Sequence, residues 1–177
     1  MKRTITAALL LLLTTTAAAF QAAKPWEKFT SGPGRFNVLM PGTPQEKKET
    51  KQGNGPLFPL NNYLYTSQEG GAIYLVGWVD YNPSARLNVQ GELAANRDNF
   101  VKSLNARLIS EKPIKIGTHP GIEFTGDNPQ ASFSARVYVV GQRPYMLAAL
   151  TVKGRGGPAQ VEKFFSSFAL TGARPAR

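Results

Sequence analysis

The segment 154–157 is the most specific candidate for a binding motif in the chain. It reads Gly-Arg-Gly-Gly, follows Lys153, and precedes a helix start that Pro158 suits. Free backbone N–H groups and the dipole at a helix start favour anions, and both Lys153 and Arg155 add positive charge. We therefore predict that Lys153 and Arg155 bind a phosphate or carboxylate of a partner. The alternative is a flexible Gly-rich connector. The pattern G-x-x-x-x-G-K-[ST] does not occur, so a nucleotide-binding P-loop is not predicted.

Residues for catalysis or metal binding are sparse. His119 is the single histidine, it lies in a Pro-Gly turn, and no G-x-S-x-G occurs, so a Ser-His-Asp triad is not indicated. Asp80 and Asp127-Asn128 lack the dense oxygen-ligand spacing of a calcium loop. The chain has no Cys, which excludes thiol chemistry, iron–sulfur clusters and zinc ribbons. We predict no catalytic residues, no metal and no cofactor.

Glu123 and Arg136 fall on strands that we pair through a turn near residues 126–130, so they could meet across a sheet. We interpret them as a structural ion pair. Four aromatic residues sit inside apolar strands and are predicted to be core: Tyr74, Trp78, Tyr138 and Tyr145. Nucleic-acid binding is not predicted, because no basic stripe with interleaved exposed aromatics occurs.

A predicted β-hairpin within 131–170 is the element around which these candidate residues are arranged. The runs 136–140 and 145–152 are almost wholly apolar, and they flank the short turn 141–144. A strand with one wet face would alternate apolar and polar residues. Since these runs do not alternate, we predict that the hairpin lies in the middle of an antiparallel sheet with both faces covered.

The other predicted strands differ in their exposure. The segment 45–52 is polar and Lys-rich, so it is either an edge strand protected by charge or a loop. The segment 108–116 contains Pro113, which indicates a bent or edge strand. The remaining predicted strands are 35–40, 60–67, 72–79 and 122–125.

Two helices are predicted. The first runs from Val89 to about Asn105 behind the N-cap Asn88, and Arg97 lies within its apolar stripe and would have to snorkel. The second has Pro158 in its first turn. Their predicted apolar residues are Val89, Leu93, Phe100 and Leu104 in the first, and Val161, Phe164, Phe165 and Phe168 in or just after the second. With about six or seven antiparallel strands, this gives an α+β fold, an α/β/α sandwich with helices on both faces of a central sheet.

The N-terminal segment has the features of a secretory signal peptide. Lys2 and Arg3 precede the apolar run 5–13, small residues follow at Ala17-Ala18-Ala19, and we place the cleavage after Ala19. The run is too short to span a bilayer, although an uncleaved anchor is the alternative. We expect 1–19 to be a signal peptide, 20–170 a single domain and 171–177 a disordered tail. Without Lys2 and Arg3 the 21 basic residues become 19, against 11 acidic ones.

Several sequence blocks resemble a known family. The block W-x-x-F-x-S-x-x-G-R-F-x-V-x-M-P-G-x-P at 26–44 is similar to the opening of a family of secreted bacterial domains of unknown function. P-G-x-E-F at 120–124, R-x-Y at 136–138 and F-x-S-F-x-L at 165–170 resemble its later blocks. That family resembles the fold of the PsbP-type extrinsic proteins of photosystem II and the Mog-type Ran-binding proteins. The resemblance implies a PsbP-like fold and a non-catalytic accessory or binding role, and it brings no catalytic residues.

These observations lead to one functional hypothesis and two alternatives. The first is a non-catalytic module, secreted or periplasmic, that contacts an envelope protein or an anionic surface, as a basic charge balance favours. The alternatives are a small-ligand carrier that uses space beside the 89–105 helix, and a hydrolase with an unrecognised carboxylate site. After signal cleavage we do not expect an integral membrane protein.

Overall fold

The computed structural model describes residues 24–50, 59–82, 84–155 and 157–172. The predicted signal peptide, 1–19, lies outside these residues. Of the predicted tail, residues 171 and 172 are described, and the N–H of Thr171 donates a hydrogen bond to the carbonyl of Arg35 at an N···O distance of 2.7 Å. The rest of that prediction lies outside the described residues.

Ten strands and two helices occur in the described residues, and they follow in the order β1 Trp26–Ser31, β2 Phe36–Pro41, β3 Gln45–Thr50, β4 Pro59–Glu69, β5 Ala72–Tyr81, α1 Val89–Ser103, β6 Arg107–Ile116, β7 His119–Asp127, β8 Ala131–Val140, β9 Arg143–Val152, α2 Pro158–Ser166 and β10 Ala169–Leu170. Seven strands form one sheet in the order β3-β4-β5-β9-β8-β7-β6, and all its pairs are antiparallel. The antiparallel sheet and the two helices were predicted from the sequence and are confirmed.

The hairpin β8–β9 lies in the middle of this sheet, as predicted. Its side chains alternate between two apolar clusters on opposite faces: Tyr138 and Leu147 belong to one, and Val137 and Val139 to the other. All four are buried. Because both faces of the hairpin are covered, its sequence has no need of polar residues at every second position.

The two outer strands of the large sheet have the features of edge strands. All six residues of β3 are exposed, and among the described strands β3 pairs with β4 alone. The edge-strand interpretation of 45–52 is therefore confirmed for Gln45–Thr50, and the loop interpretation is wrong there. At the other edge lies β6, which contains Pro113 and an irregular register between Leu108 and Ser110. Proline and bulges are typical of edge strands, because neither can extend a regular ladder.

Helix α1 begins as the sequence predicts. The side chain of Asn88 accepts a hydrogen bond from the N–H of Gly91 at 3.1 Å. The helix ends at Ser103, two residues before the predicted end, because Asn105 adopts a left-handed backbone with φ of 46°. Leu93 is buried among side chains of β7, β8 and β9. Arg97 leaves the apolar stripe and pairs with Asp98 at 2.8 Å and with a β6 carboxylate, that of Glu111.

A separate small sheet was not predicted. β1, β2 and β10 form a three-stranded sheet in the order β1-β2-β10, whereas the sequence analysis placed every strand in one sheet. Phe36, Val38 and Met40 of β2 are fully buried, and they pack in the cluster that contains Tyr74 and Trp78 of the large sheet. The structure is therefore richer in β-strand than an α/β/α sandwich.

Candidate functional site

An open groove lies between α2 and the half of the large sheet formed by β6, β7, β8 and β9. Its volume is about 470 Å³. The sheet contributes its floor, the connector before α2 contributes Arg155 and Gly157, and the helix contributes Val161, Glu162 and Phe165. We call this site the α2 groove.

The floor is polar because polar and apolar residues alternate along the first half of β8. Ser132, Ser134 and Arg136 point to the α2 groove, while Phe133 and Ala135 between them are buried on the α1 side. Two residues beyond Arg136 the same face becomes apolar. This alternation is visible in the sequence and indicates one polar face on the first half of the strand, but our prediction considered only the apolar run 136–140.

Three charged residues form a row across the floor. Lys112 on β6 lies opposite Glu123 on β7, which lies opposite Arg136 on β8. Lys112 Nζ is 2.7 Å from Glu123 Oε1, and Arg136 Nε donates to Glu123 Oε2 at 2.6 Å. The predicted ion pair of Glu123 and Arg136 is confirmed, and Lys112 is an addition that sequence reasoning missed.

The row keeps Glu123 ionised. Partial burial of its carboxyl raises the pKa, but the hydrogen bonds from Lys112 and Arg136 outweigh this and hold the pKa of Glu123 below its usual range. A carboxyl group with a lowered pKa and two cationic partners is unsuited to donate a proton near neutral pH. Its chemical role in the groove is therefore to hold Arg136 and Lys112 in place.

Helix α2 supports the guanidinium of Arg136 from the other side. The guanidinium carbon lies 4.7 Å from the ring centroid of Phe165, in cation–π geometry. Arg136 Nη2 is 3.7 Å from Glu162 Oε2, beyond hydrogen-bond length. The side chain of Glu162 is 67% exposed, whereas that of Arg136 is 20% exposed. Arg136 is thus fixed firmly by Glu123 and Phe165 and only loosely by Glu162.

The two residues predicted to bind an anion have different surroundings. Arg155 is exposed and lines the α2 groove, and its side chain has no hydrogen bond or ion pair to any other described residue. Lys153 does not line the groove, and its Nζ is 3.4 Å from Asp127 Oδ2. The structure therefore brings Arg155, but not Lys153, to the site.

Gly71 sets the position of the Arg155 side chain. This residue, in the turn between β4 and β5, has φ of 80°. A Cβ at Gly71 would lie 2.7 Å from the Cβ of Arg155, closer than carbon atoms can approach. The stem of Arg155 packs against this glycine, and Arg155 is also one of the residues that line the groove.

Hydroxyl groups complete the floor. Ser132 lies directly opposite Thr151 on β9, and Ser134 is the next residue on the same face. None of these three hydroxyls makes a hydrogen bond to another residue in the described parts of the chain. Each can donate one hydrogen bond to a ligand.

The other candidates from the sequence lie apart from the groove. His119 is the first residue of β7, opposite Ile116. Asp80 binds Arg143, with Oδ1 2.6 Å from Nη2, and Asn128 Oδ1 accepts from the N–H of Ala131 at 2.8 Å. Within 24–50, 59–82, 84–155 and 157–172, no three His, Asp or Glu side chains come together as a metal would require.

A second hollow lies beside α1. Its volume is about 170 Å³, and it is lined by apolar side chains of the large sheet, including Leu64, Leu75 and Met146, and by Asn96 of α1. Ligand pockets are typically about 300–1,000 Å³. This hollow is therefore too small for most organic ligands.

Comparison with known proteins identifies the fold. No family model matches the sequence, and no curated protein matches it. The solution structure of cyanobacterial PsbP (CyanoP) from Synechocystis sp. PCC 6803 is similar, with a TM-score of 0.54 and 14% sequence identity over 89% of this chain and 98% of that chain. Among the described helices, neither combines the length and the apolar character needed to cross a membrane. At this identity the likeness concerns the fold alone, and it confirms the predicted PsbP-like fold.

Proposed function

We propose that this protein is a non-catalytic binding or accessory module outside the cytoplasm, which contacts an envelope protein or an anionic surface through the α2 groove. In this proposal the segment 1–19 directs export, and the chain is one of the secreted bacterial domains that its sequence blocks resemble. Helices α1 and α2 act as covers on the two faces of the sheet. They leave the groove beside α2 as the place of contact.

The observation that carries the proposal is that Arg155 lines the groove without an ionic or hydrogen-bonding partner among the described residues. A cationic side chain without a partner in the described structure faces a groove with three hydroxyl donors. The carboxylate on the groove floor, Glu123, already has two cationic partners, so it offers little attraction to a further cation. Such an arrangement favours an anionic group of a ligand.

Two features of the whole chain support an anionic partner. Without Lys2 and Arg3 of the export segment, the chain has 19 basic and 11 acidic residues, a formal net charge of +8, which favours association with acidic surfaces. The N-terminal pattern of Lys2 and Arg3, an apolar run and Ala17-Ala18-Ala19 supports export to the compartment where anionic envelope surfaces occur. Neither feature depends on the geometry of the groove.

The experiment compares the purified protein with Arg155→Ala and with a matched control, Lys115→Ala. Lys115 is an exposed cation on β6 that does not line the α2 groove, so the control removes the same charge elsewhere. Binding to phosphatidylglycerol vesicles and capture of proteins from an envelope extract are measured at low and high salt. We expect salt-sensitive binding that falls several-fold in Arg155→Ala and changes little in Lys115→Ala. Equal binding by all three proteins would refute the role of the groove, and no binding to either probe would refute the proposed function.

The two alternatives have weaker support. A small-ligand carrier would use the hollow beside α1, but its volume of about 170 Å³ suits only a very small apolar group. A hydrolase would need a carboxyl group able to exchange protons in the groove. The lowered pKa of Glu123 favours a permanent charge there.

A further inference from the structure

We propose that the ligand of the α2 groove is an acidic segment of a partner protein, whose carboxylate binds Arg136 in competition with Glu162 of this chain. This inference rests on the proposed function and specifies its partner. It adds Arg136 and Glu162 to Arg155 as residues that control binding.

Arg136 is prepared to bind a carboxylate. Its Nε is bound to Glu123 at 2.6 Å, and its guanidinium lies 4.7 Å from the centre of the Phe165 ring. A guanidinium held in this way loses little further freedom when a ligand binds. Its Nη2 atom has a carboxylate nearby, at 3.7 Å, without a hydrogen bond between them.

Glu162 marks the place that a ligand carboxylate would take. It is a carboxylate on α2, it faces Nη2 of Arg136 across the groove, and it is 67% exposed. Exposed ion pairs contribute little to stability, because water screens them. A carboxylate that hydrogen-bonds Arg136 directly would therefore displace Glu162 at small cost.

The depth of Arg136 favours a side chain over a flat surface. An anionic membrane could reach the exposed Arg155 at the rim of the groove, but Arg136 is only 20% exposed and lies between α2 and the sheet. A Glu or Asp side chain of a peptide can enter such a groove. Arg155 and the hydroxyls of Ser132, Ser134 and Thr151 then provide contacts for a second acidic residue of the same segment.

The charged side chains that line the groove suit an acidic ligand. Lys112, Arg136 and Arg155 supply three positive charges, and Glu123 and Glu162 supply two negative ones. Displacing Glu162 from Arg136 exposes a further donor to the ligand. A ligand with two carboxylates is thus better matched than a single anion.

The test uses a blocked tetraglutamate peptide as the probe, with binding followed by calorimetry or by chemical shifts. We expect Glu162→Gln to bind the peptide about two- to five-fold more tightly than the wild type, as removal of one exposed competing ion pair allows. The control Glu46→Gln removes the same charge from β3, at the opposite edge of the sheet from β6, and should bind like the wild type. A blocked tetraglutamine peptide should not bind.

Different results separate this inference from the proposed function. Unchanged or weaker peptide binding in Glu162→Gln, or tighter binding to the same extent in Glu46→Gln, would overturn the competition. Arg155-dependent binding of phosphatidylglycerol vesicles or inorganic phosphate without binding of tetraglutamate would overturn the acidic-segment ligand and leave the proposed function standing. No binding of peptide, phosphate or vesicles, together with no protein captured from the envelope extract, would refute both.

Discussion

Nε of Arg136 donates a hydrogen bond to Oε2 of Glu123 across the paired strands β8 and β7, at 2.6 Å. The two side chains are 20% and 18% exposed, so water screens them less than a surface pair. Because Arg136 also faces α2, this contact couples the stability of the sheet to the geometry of the α2 groove.

Replacing Glu123 by Gln should make the free energy of unfolding vary less with pH in the acid range. The folded-state pKa of Glu123 is below its ordinary value, so its contribution is present above about pH 4.3 and is lost as the pH falls through the folded pKa. We expect Glu123→Gln to lower the free energy of unfolding by about 1–2 kcal/mol at pH 7, with a smaller difference below about pH 4. Urea titrations from pH 3 to 7 measure this.

The control for this titration is Glu27→Gln, because Glu27 is an exposed residue of β1. Its free energy of unfolding should stay within about 0.5 kcal/mol of the wild type at every pH. A wild-type advantage over Glu123→Gln that does not decline in acid would contradict the lowered pKa.

Alanine at Gly71 and at Gly70 should have different effects. Both glycines have positive φ, 80° and 56°, so either substitution strains the backbone, at a cost of about 1–2 kcal/mol. A Cβ at Gly71 would clash with Arg155, whereas no atom of the described residues lies within 4 Å of a Cβ at Gly70. We expect Gly71→Ala to be the less stable variant and the only one of the two with weakened anion binding. Identical stability and binding would argue against the packing of Arg155 on Gly71.

Lys153→Ala should weaken anion binding less than Arg155→Ala does. Lys153 is engaged with Asp127 at 3.4 Å and does not line the groove, whereas Arg155 does. Titration of both variants with phosphatidylglycerol vesicles measures the difference. A loss in Lys153→Ala as large as that in Arg155→Ala would restore the original prediction that the two residues act together.

The N-cap of α1 should contribute about 1 kcal/mol to the free energy of unfolding. Asn88→Ala removes the acceptor of the Gly91 N–H, which no longer has a side-chain cap. We expect the free energy of unfolding to fall by about 0.5–2 kcal/mol, and Asn88→Asp to retain most of it. If Asn88→Asp were as unstable as Asn88→Ala, the hydrogen bond would not be the cause.

Phe164→Ala should be the most destabilising of these changes. Phe164 is fully buried and lies 5.4 Å from Tyr74, centroid to centroid. Truncation of a buried Phe costs about 3–5 kcal/mol through lost contacts and the remaining cavity. Denaturant unfolding measures the loss. A cost below about 1 kcal/mol would show that α2 does not depend on this anchor.

The sequence by itself determined the local features of this protein. The unbroken apolar runs on either side of Gly141 predicted a central hairpin, because a strand covered on both faces has no place for polar residues. The lysines of β3 predicted an edge strand or a loop, and Pro113 of β6 predicted a bent or an edge strand. Asn88 predicted the start of α1. Each of these signals lies within a few residues of the element it describes.

Only the tertiary structure decided the small sheet and the groove. The small sheet depends on pairing of β2 with β10, in which Phe36 meets Leu170. The groove depends on Lys112, Arg136, Arg155 and Glu162, which come from two strands, a connector and a helix. Residues so far apart in the chain meet through packing of the elements that carry them. The alternation in β8 indicates that one face of that strand is polar, but no local pattern records which elements pack beside that face.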